Sequence, residues 1–564
     1  MPQYFYLDAN IKAHVPESQY KRTQRPEESN DYAAGDIIEA WDHVFRWDKD
    51  CISDGTMQIW RSRGDALADA ALPEIKGPAG DAGGSDLLAR LEAAANKPKP
   101  AKEVTALWEQ LNSIGQTPFS YDREQILRGQ AVFYRYAPQI LASLLQFSLS
   151  AGFSSPSISR LLNLTSYLVP PMSSTPEGEA PRISKASNDR TYMRLMETTQ
   201  FVLDCMSKDA MEVDNAGWRS AVRVRLLHAT MRSRLLARVR GQMSKLPDPP
   251  YREDRDGVPL SQEDMAGTLA SFSGAPLLNV MKVGIMPSLQ ECEDYTALWR
   301  VIGYYMGIDT EILSAHMSSW HQCSRLTACS IVNIFAGESF APPAVHFPMN
   351  KADVPKYLQI QHQNSATTST NGTKPDVYTT PATLPVLYSV VNRWPSPFTF
   401  QDQAAAARRL MGETLADWLS VPRTSLPRKV YLYTSFAVLN IPPTFSQYYR
   451  SGWDAKRRNA LQRSAELATY ELLGDRKTKF RARGEGEFEP RDEKDEFGKG
   501  ERGWLRGIGI ALEWSIIIGE MILVLGILAP VLVPFLVCSW ILNGALWDWH
   551  KAPLLAGYDV LVPT

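Results

Sequence analysis

The sequence predicts a mainly α-helical protein, with one large helical domain followed by a hydrophobic C-terminal segment. Apolar residues between positions 121 and 147 recur at helical spacing, among them Phe133, Ile140 and Leu144. Few stretches alternate polar and apolar residues with a period of two, as half-buried strands do. Near the C-terminus, Met521 to Trp540 form a run of twenty residues without a charged side chain.

Length, charge and cysteine usage exclude several classes of protein. The chain has 564 residues, a formal net charge of −2 and an isoelectric point near 6.5. This balance gives no electrostatic reason to expect nucleic acid as a partner. The six cysteines contain no CxxC pair, which favours a reducing compartment over a disulfide scaffold or zinc module. No basic region followed by an apolar one opens the chain, so we expect no cleavable signal peptide.

Changes in composition divide the chain into five parts. We expect a polar N-terminal tail at 1–40, the helical domain at 41–474, a charged tether at 475–503, a membrane segment at 504–548 and a C-terminal tail at 549–564. The core of the helical domain is expected at 121–345. Stretches rich in Gly, Ala and Pro (76–102) or in Gln, Ser, Thr and Asn (351–381) are typical of flexible insertions.

The C-terminal apolar run has the length of a membrane helix. About 20 residues, each rising ~1.5 Å, span the ~30 Å hydrocarbon core of a bilayer. Trp514 and Trp540 lie where interfacial aromatic residues occur. A very hydrophobic core helix, or a hairpin that dips into one leaflet, would give the same pattern, and we leave spanning and monotopic insertion open.

Charged residues around this segment bear on its depth and orientation. Glu513 and Glu520 favour a segment that starts late or lies shallow. Arg502 and Arg506 precede it, and only Lys551 follows. The excess of basic residues on the N-terminal side predicts that the large domain is cytosolic.

Arg194, Glu197 and Thr198 form the first part of a candidate site. They occupy positions i, i+3 and i+4, which places a guanidinium, a carboxylate and a hydroxyl on one side of a helix. Phe201 and Cys205 continue this side with apolar character. A polar group of this kind on an otherwise apolar face is a candidate for chemistry.

The second part is a histidine between two arginines. Arg225, His228 and Arg232 are aligned on one helix, and Leu227 and Met231 surround the imidazole with hydrocarbon. Such a histidine is more often a hydrogen-bonded core residue. A buried neutral imidazole also suits iron or zinc, and the arginines suit two carboxylates such as haem propionates. No second ligand lies at zinc spacing, whereas haem needs only one axial histidine.

These residues also carry a resemblance to a known family. The pattern Arg194-x-x-Glu197-Thr198, then Arg225-x-x-His228-x-x-x-Arg232, resembles the catalytic domain of the rubber oxygenase (latex clearing protein) family. Within it, the chain is most similar to fungal endoplasmic-reticulum-bound oxygenases of the mycophenolic acid pathway type. Gly64–Asp69 resembles the family's GDxLAD segment, and Leu298–Ile308 its LWRxIGYxLGI segment. The resemblance covers roughly 41–307, with weaker similarity to about 470.

The resemblance implies haem b, with His228 as the proximal iron ligand. It places Arg194 and Thr198 on the distal side of the haem. Glu197 stands where some bacterial members have a lysine that can cap the iron, so we expect the distal pocket here to be differently gated or permanently open. The bacterial enzymes also use a glutamate shortly before the arginine as a proposed base. Glu177 and Glu179 lie in that region, and the sequence does not align either one.

We therefore take Arg194, Glu197 and Thr198 as catalytic candidates, and His228, Arg225 and Arg232 as cofactor-binding candidates, with His228 as the metal ligand. Whether the two arginines hold propionates or brace the helix is left open. The implied function is that of a membrane-anchored haem-b-dependent oxygenase. It would cleave or oxidise a C=C bond of an isoprenoid, prenylated or similarly hydrophobic substrate with O2, in secondary metabolism at the endoplasmic reticulum. The alternatives are a haem enzyme with a different oxidation or rearrangement, and a non-catalytic membrane-tethered helical protein.

Overall fold

The computed structural model describes most of the helical domain. The described residues are Ile11 and the ranges 15–76, 86–117, 119–165, 185–247, 249–337, 382–393, 398–473 and 507–527. They are mostly helical, which confirms the predicted fold class. The expected insertion at 351–381, the tether at 475–503, the tail at 549–564 and the candidate bases Glu177 and Glu179 lie outside the described residues.

Twenty helices make up the described part. The first nine are α1 Asp54–Arg61, α2 Ala66–Ile75, α3 Leu87–Ala95, α4 Lys102–Asn112, α5 Arg123–Arg135, α6 Ala137–Ser143, α7 Pro156–Thr165, α8 Lys185–Met206 and α9 Ala216–Arg240. The others are α10 Gln262–Phe272, α11 Gly274–Lys282, α12 Leu289–Tyr305, α13 Thr310–His316, α14 Trp320–Asn333, α15 Thr383–Ser389, α16 Phe400–Met411, α17 Glu413–Trp418, α18 Leu426–Tyr448, α19 Ser451–Leu473 and α20 Gly507–Ile527. Shorter helical pieces are Glu17–Gln19, Pro26–Asp31, Ile114–Gln116, Leu144–Leu149, Ser150–Gly152, Met243–Lys245 and Glu253–Asp256.

A small sheet occupies the region expected to be a polar tail. Its strands are β1 Tyr20–Arg22, β2 Ile37–Ala40 and β3 His43–Arg46; β1 runs parallel and β3 antiparallel to β2. Ile38 pairs with Phe45, and both are buried. The Trp41–Asp42 turn has φ of 50° and 68°, the left-handed backbone that closes two-residue hairpins. This turn lacks the usual Asn-Gly pair, so the hairpin could not be predicted from the sequence.

Helix α12 lies at the centre of the core. Its N-terminus carries a capping box in which Ser288 and Glu291 satisfy each other's backbone amides. Nearly every residue from Cys292 to Tyr305 is buried, and Gly129 of α5 packs against this helix. The LWRxIGY part of the family motif is therefore the central core helix, which explains its dense apolar and aromatic composition.

Part of the stretch at 76–102 is a packed helix rather than the flexible insertion that its composition indicated. Helix α3 forms over Leu87–Ala95, with Leu88 and Leu91 fully buried. Asp86, the N-cap of α3, accepts hydrogen bonds from Arg223 on α9. Residues 86–95 therefore support the helix that carries His228, and 77–85 lie outside the described residues.

The C-terminal helix α20 begins earlier than the apolar run suggested. It has 21 residues, a mean hydropathy of 2.0 and only 11% burial over its most apolar window, so by length and composition it could cross a membrane. It includes Glu513 and Glu520, whose carboxylates form ion pairs with Arg463 of α19 and with Arg450, which lies just before α19. This pairing lets the helix include two acidic residues. Residues 528–564, including most of the predicted run, lie outside the described part.

The close approach of α5 to α12 gives a test of core packing. A Cβ on Gly129 would overlap the Asp294 carbonyl oxygen and lie 2.9 Å from Leu298 Cβ. We expect Gly129→Ala to lower the free energy of unfolding by about 1–3 kcal/mol, because the helices must separate. A Cβ on Gly152 would meet nothing within 4 Å. Gly152→Ala should therefore be neutral within ~0.5 kcal/mol, and equal losses in a denaturation experiment would contradict this packing.

Candidate active site

The candidate site lies on two antiparallel helices, α8 and α9. Small residues let them approach closely: a Cβ on Gly217 would lie 2.9 Å from the Cys205 Cα. The buried Ser220 hydroxyl donates to Asp204 Oδ2 across the pair, at 2.6 Å. Because this hydrogen bond is buried, it specifies one longitudinal register for the two helices.

That register limits which residues of the two helices can face each other. Counting eight residues along α9 from Ser220 reaches His228, and counting eight back along α8 from Asp204 reaches Met196, which is within one helical turn of Arg194 and Glu197. Where antiparallel helices pack side by side, this count puts His228 near the height of that polar pair.

The His228 imidazole lies deep in the protein but is not closed off. Its Nδ1 is buried and has no hydrogen-bond partner, and its Nε2 forms no hydrogen bond in the described part of the chain. The residue as a whole is only partly buried. Burial lowers the pKa of His228 to about 4, the Arg232 charge adds to the shift, and Asp65 opposes it. The imidazole is neutral at physiological pH and can act as a ligand.

Arg225 is held by a buried carboxylate. Its Nε and Nη2 donate to the two oxygens of Asp65 at 2.6 and 2.9 Å, and its Nη1 donates to Gln110 Oε1 at 2.7 Å. The side chains of Arg225 and Asp65 are only 2% and 4% exposed. A bidentate pair of this kind is among the stronger charge-assisted contacts, and it holds α9 against the start of α2.

Gly307 allows this pair to form. Its φ is +88°, a backbone conformation that favours glycine, and a Cβ there would overlap Asp65 Oδ2 and lie 2.6 Å from Arg225 Nε. The Gln262 side-chain amide donates to the carbonyl oxygens of both Gly64 and Gly307, at 3.0 Å each. The second glycine of the LWRxIGYxLGI resemblance is therefore required by the arginine–aspartate pair.

Arg232, two helical turns after Arg225 on α9, is held in a similar way. Its Nη1 donates to Asp69 Oδ1 at 2.5 Å, and its Nη2 donates to the Leu260 carbonyl at 2.8 Å. A Cβ on Gly64 would lie 2.9 Å from the Arg232 side chain. Both acidic residues of the GDxLAD segment thus bind arginines that flank His228. These contacts favour the bracing alternative for Arg225 and Arg232 over the propionate alternative.

On the facing helix, Arg194 and Glu197 form an ion pair. Both are partly buried, so the charges are only partly screened by water. Thr198 is exposed, and its hydroxyl donates to the Arg194 carbonyl at 3.2 Å. The three residues share a face, as the spacing predicts, and Glu197 is in a position to orient the guanidinium.

Sequence reasoning missed the residues that support the site. Asp65 and Asp69 were visible as part of a motif, but nothing local identified their arginine partners, which are 160 and 163 positions away. Gln110 and Asp204 carried no signal in the sequence. They matter because each satisfies a buried group on α9.

A second cluster of potential ligands is formed by residues outside the α8–α9 pair. Asp48, Asp50 and His321 bring one ligand atom each within 4.8 Å of one another. However, Arg325 Nε donates to Asp48 Oδ2 at 2.5 Å. Although burial opposes it, His321 and Arg325 hold the pKa of Asp48 well below its usual range. An arginine already supplies the cation here, so this cluster is a weaker metal candidate than His228.

Comparison with known proteins identifies the family. The family model described as ER-bound oxygenase mpaB/B'/Rubber oxygenase, catalytic domain, matches residues 171–470. The chain belongs to this oxygenase family. Among solved structures, the latex clearing protein LCP in its closed state matches with a TM-score of 0.45 and 14% identity, covering 74% of this chain and 92% of that one. No curated protein sequence matches the chain.

The catalytic domain of the family includes both α8 and α9, and therefore all six candidate residues. The Gly64–Asp69 segment lies outside the matched range. It nevertheless contacts the catalytic helices directly through Arg225 and Arg232. The residues before 171 are thus structural partners of the matched domain.

The chain offers a matched pair of variants for the buried brace. Asp65 and Asp86 are both N-caps, and both bind an arginine of α9. We expect Asp65→Asn to lower the free energy of unfolding by about 3–5 kcal/mol, because it leaves the Arg225 charge buried and unpaired. Asp86→Asn, at an exposed pair with Arg223, should cost at most about 1 kcal/mol. Similar losses in urea denaturation of the two variants would show that the Arg225 pair is not a special constraint.

Proposed function

We propose that this oxygenase depends on haem b and uses His228 as the axial ligand of the iron. The observation that supports this most directly is the neutral imidazole, whose buried Nδ1 has no hydrogen-bond partner. Its helix packs against the helix that carries Arg194 and Glu197, and both helices lie in the matched catalytic domain of an oxygenase family. A core histidine would normally have both ring nitrogens satisfied.

The surroundings of His228 suit a flat hydrophobic cofactor. Val224, Leu227 and Met231, which are neighbours of His228 on α9, are each partly accessible. One feature differs from common haem sites: Nδ1 has no acceptor, whereas ligating histidines usually donate this proton. When bound, haem would supply an iron that activates O2.

The chain's own residues would position and polarise the reactants. Arg194 provides a fixed positive charge and hydrogen-bond donors on the side facing His228, and we take it as the main catalytic residue. Glu197 is a positioning residue that holds the guanidinium through their ion pair. Thr198 can accept a hydrogen bond at its hydroxyl while donating to the helix backbone. Arg225 and Arg232 keep the His228 helix in place.

The proposed reaction opens or oxidises a C=C bond of an isoprenoid or prenylated substrate with O2. This follows the polyisoprenoid chemistry of the family and the apolar residues around the site. A hydrophobic substrate partitions into membranes, and α20 is apolar enough to associate with one. We propose the endoplasmic reticulum, with the domain in the cytosol, and a role in secondary metabolism. These three assignments rest on the resemblance and on the charges that flank the C-terminal segment.

A spectroscopic comparison of two histidines tests the cofactor. We expect His228→Ala to lose the Soret band of the purified protein while keeping its circular dichroism spectrum, because the iron loses its axial ligand. His316 is a matched control: its Nδ1 is also buried without a partner, and burial also lowers its pKa, but it contacts Trp60. His316→Ala should keep the Soret band. Equal haem loss in both variants would contradict the assignment.

The role of Arg194 is tested separately from haem binding. We expect Arg194→Ala to keep the haem spectrum and to lose most O2-dependent turnover of a panel of prenylated compounds. The ferric form should also bind cyanide about tenfold more weakly, because a charged donor is worth ~1.5–3 kcal/mol. Glu197→Gln should have a smaller effect in the same direction. Unchanged cyanide affinity in Arg194→Ala would show that Arg194 does not contact a ligand of the iron.

A further inference from the structure

Helix α18 contains a long sequence without charged residues. No charged residue occurs from Val430 to Tyr449, a run of twenty residues that ends at basic residues on both sides. Arg428 and Lys429 precede it, and Arg450 follows. A helix of 23 residues is ~34 Å long at about 1.5 Å per residue, so this is a large apolar element.

Most of α18 is exposed rather than packed. Its buried side chains are Leu432, Pro443 and Ser446 alone. By contrast, Leu426 is 75% exposed and Val438 is 59% exposed, and Val430, Tyr431, Ile441 and Tyr448 are also exposed. A contiguous apolar patch of this size usually marks an interaction surface, because water does not favour it.

Helix α20 continues this surface at the C-terminal end of α18. Tyr449 donates its hydroxyl to Glu520 Oε1 at 3.2 Å, and Trp453 Nε1 donates to the Ile517 carbonyl at 3.2 Å. Ile517 and Met521 are buried in this contact. The opposite side of α20 is apolar and exposed, with Ile516, Ile522, Leu523 and Ile527.

The attachment of α20 to α19 argues against a perpendicular span by this segment. Glu513 and Glu520 of α20 pair with Arg463 and Arg450. Helix α19 also contains Arg457 and Arg458 next to the buried Asp454. If residues 507–527 crossed the bilayer, this charged helix would enter hydrocarbon with them, which is costly. A helix bound along the domain surface instead meets lipid with its outer face.

Basic residues border the surface. Arg423 and Lys429 lie near the start of α18 and pair with Asp417 and Glu413, and Arg450 lies at its end and pairs with Glu520. The side chains of Arg423 and Arg450 are nevertheless 80% and 66% exposed, so they remain accessible to anionic lipid headgroups, which attract an unpaired basic residue by ~1 kcal/mol and a paired one by less. Tyrosines on the face, such as Tyr431 and Tyr448, suit the boundary between headgroups and hydrocarbon.

We propose that α18 and α20 form one monotopic membrane-binding surface, which lies in the plane of an anionic bilayer with the exposed faces of both helices in the headgroup region. The proposal extends the membrane association in the proposed function and does not depend on haem. Helix α19 packs against both α18 and the site helix α8. The site is thus one helix away from the surface, so a hydrophobic substrate could enter from the lipid.

The test uses the full chain and vesicles of phosphatidylcholine with phosphatidylserine. Val438→Cys, labelled with an environment-sensitive fluorophore, should be quenched by lipids that carry a nitroxide on the acyl chain. Ile59→Cys is the matched control, because Ile59 is 60% exposed on α1, and it should not be quenched. The labelled wild type gives the background from native cysteines such as the partly exposed Cys51. Quenching at Ile522→Cys but not at Val438→Cys would overturn the proposal and leave α20 as the sole contact.

A charge-insertion variant supplies an independent measurement. Val430→Asp/Val438→Asp should lower vesicle affinity about tenfold or more, because two apolar side chains no longer enter the interface. Ile59→Asp should leave the affinity unchanged. The Soret band should be the same in all three proteins, so failure of the haem assignment can be distinguished from failure of this surface. Unchanged affinity in the double variant, or a Val438 probe already shielded without vesicles by another part or copy of the chain, would overturn the proposal.

Discussion

The buried pair between Arg225 and Asp65 is the interaction on which the rest of the site depends. It joins the helix that carries His228 to the start of α2, across a separation of 160 residues. Because both side chains are buried, water cannot solvate either charge if its partner is missing. The pair therefore needs both helices and Gly307 in place. Three sequence motifs that look independent along the chain thus satisfy a single electrostatic requirement.

The second constraint is the register between α8 and α9. Gly217 permits close approach and the Ser220–Asp204 hydrogen bond selects one alignment. With α9 held on its other side by Asp65 and Asp69, the imidazole of His228 has little freedom to rotate away from α8. This packing fixes the helix that carries the neutral His228 imidazole against the helix that carries the Arg194–Glu197 ion pair. Such preorganisation is what a site that stabilises developing charge requires.

The side of the domain formed by α18 and α20 is organised differently. There the apolar residues of α18 and α20 are exposed, whereas Glu513 and Glu520 of α20 pair with Arg463 of α19 and with Arg450. Polar contacts thus hold α20 on the domain, and the apolar outer face of α20 is left for the proposed contact with lipid. Because α19 also packs on α8, the lipid surface and the site share one structural element. A hydrophobic substrate would have a short path between them.

The sequence by itself determined the helical class, the shared faces of Arg194, Glu197 and Thr198 and of Arg225, His228 and Arg232, and the family resemblance, because helical period and short motifs are local. It did not reveal the hairpin at Trp41–Asp42, the packed role of α3 or the apolar surface of α18. Only the tertiary structure decided that Arg225 and Arg232 bind Asp65 and Asp69, and that α8 and α9 are joined by the Ser220–Asp204 hydrogen bond. The physical reason is that partners more than a hundred residues apart meet through packing, which no local spacing encodes.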